Sequence, residues 1–144
     1  MPTGLQHLHS YLAYLVLLGI LISIILAVAG NSQNRPFTDS DRKKALLGLI
    51  PTHLQWVIGL ILYFVSPLGL SNFSGDNMGD STARLYMLEH PLMMILGVIL
   101  TTVGYAKAKR SVGDRKGFRN IYIFYGIALI LFLSRIPWIS WPGN

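Results

Sequence analysis

Six ionisable side chains lie in or at the edges of apolar stretches of this 144-residue chain: His7, His9, His53, Glu89, His90 and Arg135. An ionisable group at the centre of a bilayer costs about 2.5 kcal/mol or more on the mildest scales, so each is a candidate for chemistry. At a helical rise of about 1.5 Å per residue, His9 falls about six residues inside one end of the first apolar segment. His90 falls about seven inside the matching end of the third, and Arg135 lies in the last turn or two of the fourth. Three such groups at one level, with the imidazoles on opposed helices, have the geometry of a bis-histidine haem. An iron porphyrin in a helical bundle takes one imidazole on each face, and its propionates turn toward a cation or aromatic donors on the water side. His9 and His90 are therefore the expected metal ligands of one haem b. Arg135 is the expected propionate partner, with Trp138, Tyr11 and Tyr86 as further donors.

His53 lies roughly 10 Å deeper, too deep for the same metal if these depths hold. It is read as a proton carrier, a quinone hydrogen-bond donor, a contact to the haem edge, or a ligand if the helix offsets differ. Plainer readings stand beside these. His7 belongs to the headgroup zone. His9 and His90 can be interhelical glue, for example His90 with Tyr11 or Glu89 with a serine. Arg135 can snorkel to headgroups. Met87, Met93 and Met94 read as packing. The stripe Gly97, Thr101, Gly104 permits close approach of a helix or of a flat macrocycle.

The elements that must position these groups follow from composition. Hydrophobic residues make up 52% of the chain and charged residues 12%, about half the charged share of a soluble domain, and the mean hydropathy is +0.49. This excludes disorder and makes a membrane protein the leading class. There is no cysteine, hence no disulfide framework, thiolate site or cysteine nucleophile. Four apolar segments, about Leu5 to Gly30, Ala45 to Leu68, Leu85 to Ala106 and Ile121 to Ile136, are read as crossing a hydrocarbon layer about 30 Å thick. No basic residue precedes the first, and it outruns a signal-peptide core, so it is read as a mature helix. Gly30-Asn31 reads as a helix stop, Thr38 to Asp41 as N-cap candidates for the second helix, and Asp80-Ser81-Thr82 as those for the third.

The net charge of +6 lies in two runs between apolar segments, which reads as membrane topology and not as a nucleic-acid surface. Arg35, Arg42, Lys43 and Lys44 occupy one linker; Lys107, Lys109, Arg110, Arg115, Lys116 and Arg119 occupy another; only Arg84 and Arg135 lie opposite. The positive-inside rule makes both basic loops cytoplasmic and both termini external. Short connections then give an up-down-up-down all-α bundle of four transmembrane helices, with helices 1 and 3 on one diagonal and 2 and 4 on the other. His9-Ser10-Tyr11 and His90-Pro91-Leu92 form a weak internal echo, read either as a duplicated hairpin or as the chance likeness of apolar stretches. No Walker loop, Gly-x-Ser-x-Gly, His-Glu-x-x-His or acidic cluster occurs, so hydrolase and NTPase readings have no support.

Four stretches in order carry a resemblance. They are Leu8-His9-Ser10-Tyr11 with Ala13 to Leu17, His53-Leu54-Gln55 with Ile58 to Phe64, Glu89-His90-Pro91, and Ser134-Arg135-Ile136-Pro137-Trp138. With them the chain resembles, over nearly its whole length, small bacterial four-helix inner-membrane proteins catalogued as cytochrome b-like. The resemblance implies a haem-b membrane bundle. A weaker likeness is to one half of the haem A synthase fold, from which the adjacent Glu89-His90 departs, since that enzyme spaces the two residues more widely.

The expectation is a multi-pass protein of the bacterial cytoplasmic membrane with one haem b near its outer face. Iron held by two neutral imidazoles is low-spin and closed to oxygen, which favours electron relay. The expected partners are lipid, a quinone or subunits of a respiratory complex, with a homo-oligomer left open. The alternatives are a haem-free subunit of a larger membrane complex and an assembly factor handling haem or copper for an oxidase.

Overall fold

Nearly all of the apolar sequence condenses into four long helices. In the computed structural model, which describes residues 3–142, these are α1 (Thr3–Ser32), α2 (Asp39–Val65), α3 (Ser81–Lys109) and α4 (Lys116–Ser134). No strand forms among the described residues. All four helices are long and apolar enough to cross a membrane. Neighbours in the ring are α1 with α2, α2 with α3, α3 with α4 and α4 with α1, leaving α1 and α3, and α2 and α4, as the diagonals. The first and last described residues lie at one end of the bundle, where Trp141 Nε1 donates to the Ser10 carbonyl 3.0 Å away. The two basic linkers lie at the other.

Local chemistry sets the helix ends. Thr38 caps α2 in a reciprocal box: its hydroxyl accepts from Asp41 N at 3.3 Å while the Asp41 carboxylate accepts from Thr38 N at 2.9 Å. Asp80 caps α3, accepting from Ala83 N at 2.8 Å. α2 stops at Val65, short of the expected Leu68, because Ser66 precedes Pro67 and takes an extended conformation. α1, in contrast, runs through the expected stop at Gly30-Asn31. Gly30 is needed for packing, since a Cβ there would strike the Phe118 ring of α4. The chain turns instead at Asn34, whose φ of 53° lies in the left-handed region that asparagine tolerates.

Two prolines sit inside helices, and each frees the carbonyl four residues earlier. Pro51 frees that of Leu47, which faces Gly19 of α1 so closely that any side chain at position 19 would collide with it. Pro91 frees that of Met87, and the Tyr63 hydroxyl of α2 donates to it at 2.8 Å. Around Met87 the helix widens into a π turn, Leu85–Glu89, in which His90 N reaches back to Leu85 O.

Large apolar side chains face outward, among them Leu15, Ile50, Phe64 and Ile130. Ser23, Thr52 and Thr101 are buried, and the two threonines are satisfied by Gly48 O and Gly97 O at 2.7 and 2.8 Å. This arrangement suits an apolar surrounding, in which buried hydroxyls return to their own helix. The Gly97, Thr101, Gly104 stripe faces α4: a Cβ at Gly97 would meet Phe132, and one at Gly104 would meet Phe124. Of the two expected uses of that stripe, the helix takes it.

Most of the buried core lies toward the basic end. Tyr125 is fully buried and donates to Ala45 O at 2.8 Å. Phe37 meets Phe118 edge-on at 5.2 Å. The two basic linkers are joined by Gly113 N donating to Phe37 O at 2.7 Å and by Arg115 Nε donating to Asn31 Oδ1 at 2.9 Å. Arg35 grips the buried Asp41 carboxylate with two nitrogens at 2.6 and 3.0 Å. That guanidinium, with the Thr38 amide and hydroxyl, holds the Asp41 carboxyl well below the usual carboxylate range.

Candidate functional site

The half of the bundle near the termini is built around His9 of α1 and His90 of α3. These helices lie on a diagonal, and the imidazole centroids are 6.2 Å apart with ring planes at 86°. His90 Nδ1 lies 2.7 Å from the Arg135 carbonyl oxygen. A carbonyl only accepts, so Nδ1 carries the proton and Nε2 keeps its lone pair. His9, His90 and Arg135 thus share one level. Arg135 meets His90 through its backbone, however, and not through its guanidinium.

That guanidinium is engaged elsewhere. Its Nε lies 3.2 Å from Glu89 Oε2, and Nη1 donates to Ser134 O at 2.8 Å. Glu89 Oε1 in turn accepts from Arg84 Nε at 2.7 Å, so one carboxylate bridges the two cations of this end. Two of the other expected propionate donors also have partners: Trp138 Nε1 donates to Leu133 O at 2.9 Å, and the Tyr86 hydroxyl lies 2.7 Å from Ser140 Oγ. Tyr11 points outward, with its ring 6.5 Å from that of the exposed His7.

His53 is not brought to the pair. It is exposed on the outside of the bundle, with Nε2 2.8 Å from Thr102 Oγ1. The Thr102 hydroxyl proton goes to Val98 O at 2.7 Å, so His53 donates through Nε2 and keeps Nδ1 as a free acceptor. Helical geometry explains the placement. Position 53 is two residues from 55, about 200° around the axis at 100° per residue.

The face of α2 opposite to His53 is the one that matters. Gln55, Gly59 and Tyr63 are spaced i, i+4, i+8 and line one side. Gln55 Nε2 donates to His9 O at 2.8 Å. A Cβ on Gly59 would come 2.9 Å from His9 Cε1, so the glycine is the bed of that ring. Tyr63 holds the π turn that leads into His90. Two buried side-chain atoms among the described residues find no partner, His9 Nδ1 and Gln55 Oε1. The sequence reading passed over this stripe; its signal was a polar residue, a glycine and a tyrosine at four-residue intervals in an apolar helix.

No three His, Asp or Glu side chains converge on a metal position among the described residues. A porphyrin brings its own four nitrogens and asks the protein for two imidazoles. His9 and His90 have the donor chemistry that request names, and Gly59 makes room for the His9 ring. No protein-family model, curated protein or solved structure matches the chain.

Proposed function

We propose that this chain is a haem-b-binding protein of the bacterial cytoplasmic membrane that relays electrons, with His9 and His90 as the residues that would hold the iron. The observation that carries the reading is the imidazole pair itself. Two imidazoles on one metal, each bound at about 2 Å, hold their ring centres about 6 Å apart, and the His9 and His90 centroids lie 6.2 Å apart. When bound, the haem supplies a one-electron iron couple. His90 binds through Nε2 because the Arg135 carbonyl keeps the proton on Nδ1. Arg135 and Arg84, already steered by Glu89, offer cations to propionates at the same end.

Ten of the twelve Lys and Arg residues lie at the far end of the bundle, which supports a cytoplasmic position for the basic loops and an external one for both termini. His53 presents its free Nδ1 to the membrane side of the bundle, which supports a quinone-linked relay. A respiratory-complex subunit is the other form of the same reading, and nothing in the chain points to nucleic acid.

A second reading has its own observation. His90 already ties α3 to the end of α4 through the Arg135 carbonyl, as expected of interhelical glue in a haem-free subunit of a larger complex. The test is a visible spectrum of the protein purified in mild detergent from cells fed a haem precursor, oxidised and then dithionite-reduced. Sharp reduced α and β bands at one haem per chain support the relay. A folded, colourless four-helix protein overturns it in favour of the haem-free subunit. Haem present far below one per chain and freely exchangeable points to an assembly factor.

A further inference from the structure

The structure leaves His9 Nδ1 and Gln55 Oε1 buried and unpartnered, and the Gln55 side chain is already held by the backbone of His9. The Gln55 amide nitrogen sits 2.8 Å from the backbone oxygen of His9. Gly59, one turn along α2, gives the His9 ring its bed. Leaving an amide oxygen buried without a donor carries an uncompensated desolvation penalty. An imidazole N–H is a donor of the kind it lacks, and His9, whose backbone carbonyl the Gln55 amide already holds, carries one.

The other histidine shows the arrangement completed. His90 gives its Nδ1 proton to the Arg135 carbonyl, which fixes the tautomer and the ring orientation and leaves Nε2 free. We infer that Gln55 is the positioning residue of His9: its Oε1 accepts the His9 Nδ1 proton in the ligand-bearing state, turning Nε2 to the same task as that of His90. The two ligands are then oriented by two neutral oxygens, a backbone carbonyl from α4 and a side-chain amide from α2. This inference rests on the haem reading above. An acceptor on Nδ1 also makes the imidazole a stronger donor through Nε2, which favours oxidised iron.

The experiment is haem titration and potentiometry of the full chain in detergent, for wild type, Gln55→Leu and Gln55→Glu. Wild type is expected to take up one haem. Gln55→Leu is expected to bind it about 10–100-fold more weakly, the usual loss when such a support is removed, and with a raised midpoint. Gln55→Glu keeps an acceptor with more negative charge, so it is expected to restore binding and lower the midpoint. Wild-type affinity and midpoint in Gln55→Leu overturn the role of Gln55 while leaving the haem reading intact. Absence of haem uptake by wild type overturns both. If Gln55→Leu fails to fold, the Gln55→Glu midpoint decides, and a value at or above that of wild type overturns the inference.

Discussion

Toward the basic end of the bundle, glycine, alanine and aromatic side chains close onto one another. Buried hydroxyls there find carbonyls, as Tyr125 finds Ala45, and the freed Leu47 carbonyl is met by the backbone at Gly19. Toward the end with both termini, the same kind of proline defect is met by a side chain, Tyr63 on Met87 O. Next to it lie two imidazoles and two buried polar atoms without partners. Fully satisfied packing is what stability alone selects, whereas unsatisfied buried polar atoms in an otherwise well-packed protein point to a missing ligand or water. The haem proposal reads this difference as stability drawn from the first region and binding from the second.

The sharpest way to break this contrast is at the ligands. His90→Ala is expected to abolish haem retention, while His7→Ala, on the exposed side of α1, leaves it intact; equal retention in both, read from absorbance per chain, removes the ligand assignment. Two glycines then separate stability from binding. Gly19→Ala forces α1 away from the Leu47 carbonyl, and because the obstacle is backbone the loss of stability is expected at the upper end of the about 1–3 kcal/mol typical of overpacking. Gly59→Ala presses on the end of the His9 side chain, which can swing aside. Its melting temperature is expected to stay near that of wild type while haem affinity falls about tenfold, within the range for disturbed ligand orientation. Melting curves and haem titrations of the two variants check both statements, and the reverse pattern contradicts the division of labour.

The smallest expected effect lies at the basic end and depends on pH. Because Arg35 holds the Asp41 carboxyl below its ordinary value, the stability it contributes is fully present above the unfolded pKa of about 3.9 and is lost as pH falls toward the folded value. Asp41→Asn is therefore expected to melt below wild type at neutral pH, with the gap closing in acid. A gap that is constant with pH would assign the effect to capping geometry and not to charge.

The level of His9, His90 and Arg135 was legible because helical rise converts sequence offset into depth without any knowledge of rotation. The ring order of the four helices, and the short polar stretches from which Thr38 and Asp80 supply the caps, were legible for similarly local reasons. Rotation about the helix axis was not. A helix that is apolar on every side gives no amphipathic stripe to orient it, so nothing in the sequence separated the His53 face of α2 from the Gln55, Gly59, Tyr63 face. The expected use of Arg135 as a side-chain donor overlooked its carbonyl, which is free because α4 ends there. Gly30 was misread as a terminator because a glycine that admits the Phe118 ring looks the same in sequence as one that ends a helix.

The central claim, two imidazoles on one iron, is tested most directly by electron paramagnetic resonance of the oxidised, haem-loaded protein beside His9→Ala and His90→Ala. The account expects a low-spin bis-imidazole signal in wild type that is lost in each variant, with any remaining haem becoming high-spin. A high-spin wild-type signal, or a low-spin signal that survives either substitution, would contradict it.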